Sequence, residues 1–404
     1  MRETLKNFLI PAQPRTRHKV LEPSVSAVVP TYKPGATALR LVEDLLRYNP
    51  KLSVVVVDDC TPPSHAPSAP VLARLRAMGP RVTVVRTPRN ALKAGALNAG
   101  LRHLWALPSR TRPAVALTLD DDVVIEPDTV RRMVRALLED PMLGAVCSAC
   151  QALNKGKNLL TRLQGLEYVG FNAIRLADQG FMRGPLVMHG MLTAFRMRAL
   201  RQAGPFAEGH LIEDYEMTTR LKALGWQVRA ELGARAATEV PETFAHFWRQ
   251  RTRWSLGGVQ VVLGARDKSA VLQDVLGHVV FIATLALLGA LLVVDGGGVP
   301  SAVLQVLVGL AVLQFLSWYA LQLWLMRWYP QRDAWDWALR ITIVPELLFS
   351  SIMTVVLVGS YAFIAYSAAA RTLAGRGGGA ARAAAFGAML FAKLGYSGRW
   401  GTRG

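Results

Sequence analysis

The chain has 404 residues, 51% of them hydrophobic, and its 47 Lys and Arg outnumber 28 Asp and Glu to give a formal charge of +19. With a positive mean hydropathy, this composition excludes both a disordered tail and an ordinary soluble basic protein. Three cysteines, Cys60, Cys147 and Cys150, cannot build a disulfide framework, so a reduced, cytoplasm-facing catalytic region is expected.

The charge is uneven. After residue 274 the chain carries nine Lys or Arg against four Asp or Glu, which leaves +14 on the first 274 residues. A basic surface joined to an apolar C-terminal part suits the anionic face of a membrane, and it also suits substrate phosphates. None of the usual nucleic-acid-binding modules is visible, so nucleic acid is not expected as a partner.

In chain order, the opening segment 1–23 is basic, and its apolar run Phe8-Leu9-Ile10 stops at Pro11, too short for a signal core or a membrane span. Val-rich runs at 25–29, 53–57, 82–85 and 115–119 predict buried parallel strands. Between them, Leu39, Leu41, Val42, Leu45 and Leu46 form a helical apolar stripe, as do Leu92, Ala96, Ala99 and Leu104. This alternation predicts a doubly wound α/β sheet over residues 24–240. Residues 241–274 read as an interfacial helix region. Apolar runs follow at 275–294 and 299–326, and a third lies between Arg340 and Arg371, with Pro345 and Glu346 near its start; each is long enough to cross a bilayer. Arg327, Arg332 and Arg340 precede the third run, whereas the turn between the first two has no basic residue, so that turn is expected outside and the arginines inside. Three full crossings would leave the basic tail, 372–404, outside. Either the third segment is re-entrant or a further crossing lies near 380–394.

Doubly wound sheets bind ligands beyond the carboxyl ends of their strands. Those ends carry Pro30-Thr31-Tyr32, Asp58-Asp59 and Asp120-Asp121-Asp122. Three consecutive carboxylates repel one another unless a cation or donors neutralise them. Hard oxygens at this density suit Mg²⁺ or Mn²⁺ holding a substrate diphosphate; the plain alternative is a solvated acidic turn. Strand alternation makes Asp120 and Asp122 the better ligand pair. Asp58-Asp59 serves equally as a cap or as a carboxylate beside Tyr32 that reads the edge of a base. Residues 93–98, Lys-Ala-Gly-Ala-Leu-Asn, open a helix where a lysine and free N–H groups meet phosphate, or form an ordinary amphipathic helix. Glu213-Asp214 leads into a helix over 215–224, as a cap or, for Asp214, as a general base for a hydroxyl. Gln250-Arg251-Thr252-Arg253-Trp254 reads in isolation as an interfacial anchor. Cys147 and Cys150 have half the spacing of a zinc site with no second pair. His189, His210 and His246 are scattered and suit local hydrogen bonding.

Taken in this order, the strings Val28-Val29-Pro30-Thr31-Tyr32, Val57-Asp58-Asp59, 93–98, Asp120-Asp121-Asp122, 190–196, Glu213-Asp214 and Gln250-Arg251-Thr252-Arg253-Trp254 resemble the processive family 2 glycosyltransferases. That group holds the hyaluronan, chitin, cellulose and poly-N-acetylglucosamine synthases. The resemblance covers residues 24–260, its last motif is the most specific, and Trp400-Gly401-Thr402-Arg403 is similar to a tail motif of hyaluronan and chitin synthases. It implies a GT-A (Rossmann-like) domain that binds a UDP-sugar with one Mg²⁺ or Mn²⁺. Thr31 and Tyr32, with Asp58 or Asp59, would hold the uracil end and Lys93 the nucleotide; Asp120 and Asp122 would meet the metal and diphosphate. Asp214, beside Glu213, would be the base in an inverting transfer. Gln250, Arg253 and Trp254 would form the acceptor platform, and Trp400 and Arg403 would close over the nucleotide, which requires a cytoplasmic tail. A multi-pass protein of the cell's inner membrane is implied, its catalytic domain cytoplasmic, with a polysaccharide or lipid-linked acceptor. The alternative is single-sugar transfer to a lipid, since ceramide glucosyltransferases carry a similar arginine-tryptophan motif. The few spans are a narrow set for a polysaccharide channel unless two copies cooperate as a homo-oligomer.

Overall fold

The computed structural model describes residues 24–180, 182–293, 301–374 and 378–396. The four Val-rich runs form β1 (Val25–Thr31), β2 (Ser53–Asp58), β3 (Val82–Arg86) and β4 (Val115–Leu119), alternating with α1 (Ala36–Tyr48), α2 (Ser68–Arg76) and α3 (Leu92–Ala106). The chain continues through β5 (Val124–Ile125), α4 (Thr129–Glu139), β6 (Leu143–Ala152), α5 (Leu159–Ala177), β7 (Leu192–Arg196), α6 (Met197–Ala203), α7 (Glu213–Ala223) and β8 (Gln227–Thr238). All eight strands join one sheet in the order β3-β2-β1-β4-β7-β6-β8-β5. β1 pairs in parallel with both β2 and β4, whereas β7 runs antiparallel between β4 and β6. The predicted α/β architecture is therefore a mixed sheet, parallel in its first half.

Strand alternation sends neighbouring valines to opposite faces. Val29, Val54 and Val56 pack with Leu41, Leu45 and Leu117 on one side. On the other, Val28, Val55 and Val57 meet Leu97, Leu101 and Phe195. Because helices cover both faces, β1, β2 and β4 have no polar side to show, which is why they read as unbroken apolar runs, whereas β3, predicted to be buried as well, lies at the sheet edge and exposes Thr83 and Arg86. The chain order reverses between β1 and β4, and this switch point opens a crevice at their carboxyl ends. Thr31 Oγ1 donates across it to Asp121 Oδ2 at 2.6 Å.

Beyond β8 come α8 (Phe244–Gly264), α9 (Leu272–Val293), α10 (Ser301–Leu325), α11 (Ala334–Thr342), α12 (Val344–Ala374) and α13 (Gly378–Lys393). Among the described residues, Leu304–Leu325 and Val344–Thr372 are long and apolar enough to cross a membrane; α9 occupies the first of the three predicted spans. Pro345 marks the start of α12 rather than a break within it. It lies in the first turn, where its missing N–H has no helical partner to lose, and Ile343 just before it adopts φ 58° and ends α11.

Two later segments fold back, one onto α5 of the α/β half and the other onto α8. After α10, Leu325, Met326 and Tyr329 pack on Leu166 and Val169 of α5. Asp336, fully buried, pairs there with Lys155 at 2.6 Å and Arg162 at 2.8 Å. α12 runs beside α8, with Phe349 and Phe247 rings 5.2 Å apart and Ser360 Oγ 3.0 Å from Ser255 Oγ. α13 folds back on α12 through Phe391 and Phe363, 5.3 Å apart. Residues 394–396 then reach α8 and α12: Trp248 Nε1 donates to Leu394 O, Thr252 Oγ1 to Gly395 O and Tyr396 Oη to Val356 O, at 2.7, 3.2 and 3.0 Å.

Candidate active site

β4 stops at Leu119, so Asp120-Asp121-Asp122 lie in a turn rather than continuing the strand alternation. The Asp120 N–H donates to Met191 O at 3.1 Å, which seats the turn beside the start of β7. Lys93, in the first turn of α3, places Nζ 2.5 Å from Asp120 Oδ1, 3.3 Å from Glu213 Oε1 and 3.3 Å from Gly190 O. Gly190 in turn donates its N–H to Asp214 Oδ2 at 2.7 Å. Glu213 and Asp214 open α7, where the exposed amide ends of the helix favour negative charge. The adjacent carboxylates of Glu213 and Asp214 and that of Asp120, more than 90 positions earlier, thus gather around one ammonium and one glycine.

Burial works against the Lys93 charge, but Asp120, Glu213 and Asp214 together hold the ammonium above its ordinary range. Burial also raises the Glu213 carboxyl, with Lys93 opposing it. Gly190 is required where it stands, because a Cβ there would lie 2.6 Å from Lys93 Nζ and 3.2 Å from Asp214 Oδ2. Since the crowded atom is the tip of a flexible side chain, Gly190→Ala should displace Lys93 from Asp120 while the fold persists. We expect a catalytic rate reduced by about ten-fold or more, one charge-assisted hydrogen bond being at stake, with a smaller loss of melting temperature than removal of the lysine itself would cause, since the ammonium keeps Glu213; paired rate and melting measurements check this.

The acidic pair after β2 is turned into the protein. Asp58 is fully buried, its Oδ2 2.5 Å from Arg86 Nη1 and its Oδ1 accepting the Thr61 N–H at 2.9 Å. Asp59 accepts from Thr87 Oγ1 at 2.9 Å and from the Ala91 N–H at 2.8 Å, and burial raises its carboxyl. Asp59 therefore braces the loop that delivers Lys93. Tyr32 is half-buried, with Lys33 Nζ 5.3 Å above its ring.

The motif at 250–254 lies on α8, which Thr243 caps through the His246 N–H. Arg253 Nη1 donates to Leu211 O at 3.1 Å and so ties α8 to the loop that leads into Glu213-Asp214. Trp254 packs toward Phe171 of α5, ring centroids 6.4 Å apart. Gln250 is half-buried. Trp400 and Arg403 lie outside the described residues.

Three contributors escaped sequence reasoning. Arg251, inside the motif, is fully buried and ion-paired to Glu167 of α5. Glu167 had one visible signal, a lone acid among the apolar residues of a buried helix. Asn98, at the end of the 93–98 string, clamps the loop before α7: its Oδ1 accepts the Phe206 N–H at 2.7 Å and its Nδ2 donates to Phe206 O at 2.9 Å.

His189, next to Gly190, bonds through Nε2 to Ser148 O at 2.7 Å, and its Nδ1 is buried without a hydrogen-bond partner. Burial and then the Arg175 charge push the imidazole down to about 3 from 6.5. Protonation therefore favours the unfolded chain: the stability from neutral His189 is present above pH 6.5 and is lost as pH falls toward 3. Melting temperatures should drop over that window, and His189→Gln should flatten the slope. Behind it, Cys150 Sγ contacts Asn172 Oδ1 at 3.2 Å and Arg175 Nη1 at 3.3 Å; burial pushes both thiols up, Cys147 to about 11.

Among solved structures, the mannosyltransferase PcManGT from Pyrobaculum calidifontis, in complex with GDP-Man and Mn²⁺, superposes with a TM-score of 0.54 at 20% identity, over 83% of this chain and 93% of that one. This likeness shows a GT-A-like fold. Among curated relatives, the chain is 29% identical over 174 residues to the poly-beta-1,6-N-acetyl-D-glucosamine synthase of Staphylococcus epidermidis, 43% of this chain and 40% of that protein. It is 28% identical over 257 residues to the probable glycosyltransferase YdaM of Bacillus subtilis, 62% of this chain and 59% of that protein. The chain thus spans two fifths to three fifths of the length of these relatives. Residues 23–257, more than half of its length, match the family described as glycosyltransferase like family 2. The chain belongs to that family, and over part of its length it is similar to a poly-N-acetylglucosamine synthase.

Proposed function

We propose that this enzyme moves a sugar from a UDP-sugar, UDP-N-acetylglucosamine in the first instance, to the hydroxyl of a growing polysaccharide, with inversion at the anomeric carbon. The observation that carries the reading is the convergence of Asp120, Glu213 and Asp214 on Lys93 and Gly190 at the switch point of the sheet. The likeness to the poly-beta-1,6-N-acetyl-D-glucosamine synthase of Staphylococcus epidermidis supports the choice of sugar. In this reading Thr31 and Tyr32 flank the nucleobase, with Asp58 and Asp59 bracing its pocket from behind, and Lys93 faces the diphosphate. Asp214 Oδ takes the proton of the acceptor hydroxyl as its oxygen bonds to the anomeric carbon, and the bond from that carbon to UDP breaks with its electron pair leaving on the diphosphate.

The donor set suits Mg²⁺ or Mn²⁺. Asp120 and Asp122 supply hard oxygens on one turn, and among the described residues no three His, Cys, Asp or Glu side chains gather as a cage; a cation there would complete its shell with diphosphate and water. Such an ion would stabilise charge on the departing UDP. On the protein side, Lys93 supplies positive charge within the same cleft, Arg253 holds the loop that carries Asp214, and Trp254 offers a flat apolar face to a sugar ring.

We place the enzyme in the inner membrane with its catalytic half on the cytoplasmic side. Residues 326–342 lie against that half and residues 394–396 against α8, the helix that carries the 250–254 motif, which favours a returning α12–α13 hairpin and agrees with the basic residues Arg327, Arg332 and Arg340 facing inward. The deciding experiment incubates full-length protein in detergent with a panel of UDP-sugars and Mg²⁺ or Mn²⁺. It measures UDP release and asks whether labelled sugar enters a polymer or a lipid extract. Polymer from one donor supports the proposal; label confined to lipid, or turnover with none of the UDP-sugars, overturns it.

A further inference from the structure

We propose that Arg251 is a positioning residue: held by Glu167 and clasped between two aromatic rings, it fixes the Trp254 ring and turns the Gln250 amide so that its N–H groups face the acceptor saccharide. The inference rests on the reading of α8 as the acceptor platform. Arg251 is fully buried, its guanidinium 4.8 Å from the Phe247 ring centroid and 4.2 Å from that of Trp254. Nη2 donates to Glu167 Oε2, and Nη1 donates to Gln250 Oε1 at 2.5 Å.

The chemistry of the pair decides the orientation of the amide. A guanidinium has only donors, so the oxygen of Gln250 must face it. The Nε2 group is then the outward end, and it can meet only an acceptor such as a saccharide oxygen. The ring of Trp254 is fixed in the same way, by the guanidinium on one face and by Phe171 of α5 beyond it. A fully buried arginine is a costly way to anchor a helix, since apolar side chains of similar volume often hold such a site as well or better. What an apolar residue would lack is the control of its two motif neighbours, Gln250 one residue before and Trp254 three residues after.

A plain anchoring role and a positioning role part at Gln250→Glu. A glutamate keeps an oxygen toward Arg251, so anchoring survives and the melting temperature holds or rises, but the outward N–H₂ is gone. With UDP-N-acetylglucosamine and short N-acetylglucosamine oligosaccharides as probes, kcat/KM for the acceptor should fall about ten-fold, the worth of one lost hydrogen bond, while UDP binding by calorimetry is unchanged. Arg251→Lys keeps a charge for Glu167 but loses the fork, and it should produce a similar loss. In an Arg251→Met background, adding Gln250→Glu should have little further effect, because the amide is no longer oriented; such non-additivity is the signature of coupled neighbours. An active wild type whose Gln250→Glu variant keeps its acceptor kcat/KM, or whose two effects simply multiply, overturns this inference alone. A wild type inactive with every UDP-sugar overturns the proposed function and this inference with it.

Discussion

Asp214→Asn should lower kcat for sugar transfer by about 10²–10⁴-fold, the contribution of a positioned general base, and leave UDP binding intact. The amide oxygen of asparagine can still accept the Gly190 N–H that Asp214 Oδ2 accepts at 2.7 Å, so the tie to Gly190 survives while the proton acceptor and the local bond from the Tyr215 N–H to Oδ1 are lost. Glu213 is poorly placed to substitute. Its carboxylate is 5% exposed and faces Lys93 at 3.3 Å, and burial makes it reluctant to ionise. Initial rates of UDP release, with calorimetric titration of UDP on the same preparation, measure both halves of the expectation. A variant that turns over at the wild-type rate would remove Asp214 from the chemistry.

Lys93→Met should be the most destabilising single change in the cleft. It leaves Asp120 and Glu213 without their shared partner, and removing one member of a buried pair costs about 3–5 kcal/mol. The three side chains are 19%, 28% and 5% exposed, buried enough for that figure to apply. The pH dependence has a definite sign. A lysine whose folded-state pKa lies above the ordinary 10.5 adds stability that is fully present below pH 10.5 and is lost as pH rises through the higher folded value. The wild type should therefore lose melting temperature more steeply than Lys93→Met above pH 10.5. Adding Glu213→Gln to Lys93→Met should restore part of the stability by removing the orphaned buried charge. Thermal melts of the three proteins across pH test this; a Lys93→Met variant within about 0.5 kcal/mol of wild type, as at an ordinary surface site, would show that the ammonium does not hold the cleft together.

Much of the parallel half of the fold was legible because its strands are buried on both faces. The runs at 53–57 and 115–119 have no polar phase to confuse a period of two, and the helices between them show clear apolar stripes. The second half was not. β6, Leu-Gly-Ala-Val-Cys-Ser-Ala-Cys-Gln-Ala, is built of small residues without β-branched emphasis. β8 carries Arg229, Glu231 and Arg235 along its length, so neither strand announces itself, and their pairing joins residues 80 or more positions apart.

The candidate site divides along the same line. From the sequence alone came its residue types and their order, with acids at strand ends, a lysine at a helix start and an aromatic-basic motif ahead of the apolar helices, because local propensity and strand geometry are written in short windows. Only tertiary packing decided which of them meet. Asp58 and Asp59 resemble Asp120 in sequence, yet Arg86 and Thr87 absorb them into the protein, while Asp120 faces Lys93. Arg251 and Arg253 sit two residues apart, but the 100° turn per helical residue sends one to Glu167 and the other to Leu211. Whether a charge is buried, and against what, depends on elements brought together from distant parts of the chain, and no local pattern encodes that partner.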